Sequence, residues 1–161
     1  ARTGVANADA GPAMMRRTSA VDLLIPFLLA VALSYLLLRL AYESLPPFQW
    51  FIALPITALA VLEWVIANRV RAAVRHKPQA KPMTALAVAR SVALGKASAL
   101  VAALFAGASA GLVLKVLPDS GRTGAAGHDL RVGLVVLAAT VLLTAAGLLL
   151  ERAGIDPNRN R

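Results

Sequence analysis

The sequence predicts an all-α integral membrane protein, a four-helix bundle with both termini on the cytoplasmic side of the plasma membrane. Three observations predict it. The 161 residues are 58% hydrophobic and 16% charged, with a mean hydropathy of +0.69, whereas a soluble domain carries about 25% charged residues. The apolar residues gather into four runs near the roughly 20 residues that carry a helix across a bilayer. The connecting segments differ sharply in charge, with twelve Lys and Arg on one set and three on the other. No cysteine is present, which excludes disulfides and thiolate metal sites.

Residues 1–15 form a tail ahead of the membrane domain, which spans 16–153. The first thirteen are small and polar, without hydrophobic period, and are expected to be disordered. Met14 or Met15 is a candidate start, which would make the preceding residues an upstream extension or an added tail. Arg16 and Arg17 before an apolar run resemble the opening of a signal peptide. The run is too long and lacks a cleavage site, so a retained anchor is expected.

The first span is expected over about 21–42. Asp22 complements the positive end of the helix dipole, and Pro26 lies in the opening turns, where proline costs less than in mid-helix. Arg39 is about one turn from the far end, from which its head can snorkel to the interface and meet Glu43. Pro46 and Pro47 stop this helix. Phe48, Trp50 and Phe51 make an aromatic cluster suited to headgroup level, and the second span runs over 48–68, with Pro55 expected to kink it. Glu63 lies about 7–8 Å from the end of that span at 1.5 Å per residue, and a carboxyl there is expected to face protein or water rather than lipid. Trp64 marks the inner interface.

The basic loop, 69–90, holds Arg69, Arg71, Arg75, Lys77, Lys81 and Arg90 and no acid. Pro78 and Pro82 break any helix running on from the second span, and 84–90 is either a lead-in turn or an extension of the third. That third span, 91–117, is the expected central helix. Small residues recur along it every fourth position at Ser91, Gly95, Ala99, Ala103, Gly107 and Gly111, with a second row at Ser98, Ala102, Ala106 and Ala110. Lipid tails are as apolar as leucine, so helices associate in a membrane by close backbone approach, which small residues at i and i+4 permit. A four-residue step drifts about 40° on a 3.6-residue helix, so the ladder winds and suits several neighbours better than one straight partner. A turn-rich loop, 118–131, leads to the fourth span over 132–150, and 154–161 is a short tail.

Orientation follows from charge: the terminal tails and the 69–90 loop carry twelve Lys and Arg, the two opposite loops only Lys115, Arg122 and Arg131. The positive-inside rule therefore places both termini and the basic loop in the cytoplasm.

The best polar constellation is Glu63, Lys96 and Glu151, at the cytoplasmic third of three spans, with Thr140, Thr144 and Gly147 on the Glu151 face and Arg90 near the mouth. It reads either as a structural ion pair that fixes helix register or as an ion, proton or polar-substrate site. The expected packing residues are Gly95, Ala99, Ala103, Gly107 and Gly111. Arg69, Arg71, Arg75, Lys77 and Lys81 are expected either to contact anionic phospholipids at roughly 1 kcal/mol each or to act as the topology signal alone. The loop lacks interleaved aromatics or a nucleic-acid motif, so no nucleic acid is expected. His76 and His128 fall on opposite sides of the membrane, no metalloprotease, hydrolase or phosphate-loop motif is present, and neither enzymatic activity nor a cofactor is expected.

The segments M-R-R-T-S-A-V-D-L-L, K-P-M-T-A-L-A-V-A-R, S-V-A-L-G-K-A-S-A-L-V-A-A-L-F-A-G and L-L-L-E-R-A-G-I-D-P resemble the small actinobacterial membrane proteins grouped as domain of unknown function 3180. The resemblance covers nearly everything after residue 14. It implies four spans and an actinobacterial source, and brings no catalytic residues with it. Members of that family tend to be encoded near folate-biosynthesis genes and a membrane-bound protease. The expected role is a non-enzymatic scaffold, accessory or regulatory subunit with a membrane-protein partner or a second copy of itself. The alternative is a small transporter or channel using Glu63, Lys96 and Glu151. A topology reporter fused after Asp119 is expected to score as external; a cytoplasmic signal there would overturn the orientation.

Overall fold

The structure is a computed structural model that describes residues 18–44 (the side chain of Glu43 excepted), 46, 49–75 and 83–154. Among the described residues are four α-helices and no strand: α1 Ala20–Ala41, α2 Ala53–Val74, α3 Ala85–Val116 and α4 Gly124–Ala153. All four are long and apolar enough to cross a membrane. Three start where a hydroxyl side chain satisfies a free backbone N–H of the first turn. Ser19 accepts from Val21 N–H, and Asp22 reaches back to the Ser19 N–H at 2.8 Å, closing a capping box. Thr84 and Thr123 accept from Ala87 and Ala126 in the same way.

The helices depart from the sequence expectation at three places. Pro55 does not sit in mid-helix. A short 3-10 turn over Trp50–Ile52 precedes α2 and leaves Pro55 in the first α-helical turn, where its missing N–H removes no internal bond. At the basic loop α2 continues to Val74 and α3 begins at Ala85, so Arg69 and Arg71 lie on helix. At the other end α4 starts at Gly124, well before Val132, because Thr123 caps it and Ala125 and Ala126 propagate it. The Arg39–Glu43 pairing, Phe48, Lys77, Lys81 and both terminal tails fall outside the described side chains or residues.

The helices stand in the order α1, α3, α4, α2. Helix α3 packs on α1 and α4, and α2 packs chiefly on α4, while α1 has no close backbone approach to α2 or α4. Consecutive spans α1 and α2 thus occupy opposite edges. The α3–α4 hairpin forms the middle, where buried residues concentrate: ten on α3 and twelve on α4, against Leu38 alone on α1.

Small residues set this order. A side-chain carbon on Gly95 would stand 2.6 Å from Gly147 O and 2.9 Å from Glu151 N; one on Gly147 would stand 2.7 Å from Gly95 O and 3.0 Å from Ala99 N. The two helices touch backbone to backbone here. Higher on α3, Gly107 faces the Phe27 carbonyl and, at 2.8 Å, Ala30 Cβ, and Gly111 faces Val31 O at 2.8 Å and Ser34 Cβ at 2.9 Å. The Ser34 hydroxyl donates to Ala108 O across this seam at 2.9 Å. Four steps of about 40° separate Gly95 from Gly111, so one row of small residues meets α4 at one end and α1 at the other.

Two polar bonds then fasten α1 to α4 across α3. At one end, called here the near end, Thr18 N–H donates to Glu151 Oε1 at 2.7 Å. At the far end the Tyr42 hydroxyl donates to Asp129 Oδ2 at 2.6 Å, with Lys115 Nζ 5.3 Å from the Tyr42 ring centroid. Leu38, Leu112, Val116 and Ala126 close a small apolar core beneath the far-end bond.

Two predictions follow from this packing. Gly107→Leu puts side-chain atoms where α1 backbone stands, and overpacking of this kind costs about 1–3 kcal/mol. It should lower the thermal midpoint in detergent, whereas Gly121→Ala, with nothing within 4 Å of the added carbon, should leave it unchanged. For the far-end bond, burial first and then the accepting Asp129 carboxylate push the Tyr42 phenol from 10.0 up to about 12. A folded-state pKa raised above the unfolded one gives stability that is fully present below pH 10 and lost as pH rises through 12. The parent should therefore lose stability over that window by a component that Tyr42→Phe lacks; identical slopes for both proteins would refute the bond's contribution.

Candidate functional site

On α2 the residues Ala60, Glu63, Ala67 and Val70 are all buried, and their three- and four-residue spacing puts them on one stripe. Ala60 packs with Ala102 of α3 and with Leu143 and Ala146 of α4; Ala67 and Val70 pack with Leu150 and Ala153. Glu63 lies between these two clusters. It is 0% exposed, and neither carboxyl oxygen has a hydrogen-bond partner. Ser98 of α3 comes near enough to act on the carboxyl, but without hydrogen-bonding geometry. An unbonded buried polar group costs roughly 1–3 kcal/mol, and a charged one more, so this carboxyl is a conspicuous exception within an otherwise apolar seam. Chemically it can hold a proton or receive a small cation.

The other two members of the predicted constellation lie elsewhere on the same half of the bundle. Glu151 is 5% exposed. It sits one turn beyond Gly147, on the α3 side of α4, and binds Thr18 rather than facing the α2 seam. Lys96 is exposed: its neighbour Gly95 points at α4, and the next residue on a helix is turned about 100° away. The register of α1 on α3, with Gly107 at Phe27 and Ala30 and Gly111 at Val31 and Ser34, makes Lys96 level with Thr18. Lys96 and Glu151 therefore share the near end, and Glu63 makes no hydrogen bond to either. Thr140 is fully buried, and its hydroxyl returns to Val136 O and Leu137 O. Thr144 donates to Thr140 O.

Of the residues expected to meet anionic lipid, Arg69 and Arg75 are exposed and Arg71 is partly buried; Arg71 lies in the last turn of α2, where a cation complements the helix dipole. Trp64 is 58% exposed on the outside of α2. Sequence reasoning missed Thr18 and the Tyr42–Asp129 pair. The one signal for the latter was an acid early in an apolar helix, opposite a tyrosine that ends another.

Replacing Glu63 by methionine, of similar volume, removes the unsatisfied group. Glu63→Met should raise stability in detergent by about 1–3 kcal/mol, while Glu151→Met should lower it because Thr18 N–H loses its acceptor. Thermal unfolding of the two variants checks both signs.

No curated protein matches the chain, and no solved structure does. Over residues 23–157 the sequence matches the family described as protein of unknown function (DUF3180), and the chain belongs to that family.

Proposed function

We propose that this protein is a non-enzymatic membrane scaffold or accessory subunit, with both termini cytoplasmic, that holds a membrane-protein partner through its edge helices. The observation that carries this reading is the state of α1. Only Leu38 of its 22 residues is buried, and Leu24, Leu28, Leu29, Leu33, Leu36 and Leu40 are each more than half exposed, yet the helix is held in one place by glycine contacts and by a polar bond at each end. A fixed helix with a free face is what a docking subunit offers. Ser34, Tyr42, Asp129, Thr140, Thr144 and Glu151 are engaged in fastening one helix segment to another or to their own backbone. Purification of the full chain from native membranes in mild detergent, with mass spectrometry of what accompanies it, tests the reading. A stoichiometric partner, lost on Gly107→Leu, is expected.

Glu63 favours a second reading, a proton or small-cation path through the α2–α4 seam. Recovery of the chain alone, together with a flux in liposomes that disappears on Glu63→Gln, would replace the scaffold with this reading.

A further inference from the structure

Glu63 stands where α2 meets α3 and α4, and apolar packing closes the seam above and below it. Towards the far end Ala60 meets Ala102, Leu143 and Ala146; towards the near end Ala67 and Val70 meet Leu150 and Ala153. The side between α2 and α3 is different, because these two helices approach each other only sparsely. Ser98 of α3 stands there, partly buried, and is the side chain close enough to act on the carboxyl. Apart from Glu63, no titratable residue occurs over 53–68 of α2, 97–114 of α3 or 132–150 of α4. The first charged groups beyond those stretches towards the near end are Arg69, Lys96 and Glu151, and neither Glu63 oxygen hydrogen-bonds to any of them.

We infer that Glu63 is a proton-binding site: a neutral carboxylic acid at neutral pH that exchanges its proton past Ser98, on the α2–α3 side, and admits no metal ion. The site is that of the second functional reading, on which the inference rests for its location, and the test below reads the carboxyl rather than a flux. An ionised carboxylate with neither a hydrogen bond nor a counter-charge is the costliest state of this group in an apolar seam. A metal ion relieves that cost only where enough oxygens surround it, and Mg²⁺ or Ca²⁺ takes about six or more. Around Glu63 the flanking side chains are those of Ala, Val and Leu. Carbonyls in a helix interior are committed to N–H groups four residues on, and Thr140 and Thr144 direct their hydroxyls to backbone carbonyls. A proton needs a single carboxyl oxygen. It turns the carboxyl into a donor as well as an acceptor, and Ser98 holds a hydroxyl of the same dual character beside it. The two apolar clusters bar the way along the seam to either end, which leaves the partly exposed Ser98 as the polar step out of the site.

Infrared spectroscopy of the full chain at neutral pH, in a detergent without carbonyl groups, tests the site. The difference between parent and Glu63→Gln should show the C=O stretch of one protonated carboxyl, on the high-frequency side of the amide band, and no carboxylate band. Saturating Na⁺, Mg²⁺ or Ca²⁺ should leave that stretch in place. In D₂O it should move to lower frequency, and Ser98→Val, which replaces the hydroxyl by methyl groups, should slow the move. Absence of the protonated band, or its loss on adding any of the three ions, would overturn the proton site. A band that never moves in D₂O, or that moves at the parent's rate in Ser98→Val, would overturn the exchange route. Flux in liposomes is decided separately: a protonated, exchanging Glu63 in a chain that carries no flux would end the second functional reading and leave the proton site standing.

Discussion

The structure depends on the backbone contact between Gly95 of α3 and Gly147 of α4. In a bilayer the hydrophobic effect does not draw helices together, since a side chain leaving lipid for protein exchanges one apolar neighbour for another. Close approach and the dispersion contacts it multiplies must do so. Only positions without a side chain let carbonyl and amide groups of two helices come within van der Waals range, and these two glycines provide that for the central hairpin. Every other helix position is defined relative to it: α2 by the alanine stripe that packs on the opposite side of α4, and α1 by Gly107 and Gly111 further along α3.

The winding of the small-residue row on α3 has consequences at both scales. It lets a single helix serve two partners at different heights, which produces an open row of four helices in place of a pairing of consecutive spans. It also leaves α1 and α4 apart at the near half, where the alanine floor opens a groove, and closes them at the far half, where Leu112 and Val116 fill it. Because α1 buries so little, its two polar bonds matter more than their number suggests. Each places a donor from one end of α1 on a carboxylate of α4, across the width of α3.

Much of this was legible in the sequence. The four spans follow from run length and hydropathy, and the role of Gly95, Gly107 and Gly111 as close-contact positions follows from their spacing and lack of side chains. Helix ends were less legible. Charged and turn-forming residues at 69–74 and 124–131 read as loop, but caps at Thr84 and Thr123 and the tolerance of proline in a first turn extend or shift the helices. The site was legible residue by residue more than as a constellation. Glu63 was identified from the cost of a carboxyl at its depth. Its separation from Glu151 was not, because which of two seams of α4 a side chain faces depends on the order of helices, and that order is set by backbone contacts between positions more than fifty residues apart.

The cysteine-free chain permits a direct measurement of that order. Paired substitutions Ser34→Cys and Gly111→Cys, with Cβ positions 2.9 Å apart, need a shift of under ~1 Å to reach the 3.5–4.5 Å of a disulfide. Mild oxidation in native membranes should link this pair readily, and should not link Ser34→Cys with Thr57→Cys, which places the second cysteine on α2 at the opposite edge. Efficient linkage of the α1–α2 pair, with none between α1 and α3, would mean that consecutive spans pair first and that α3 is not the helix on which the others are arranged.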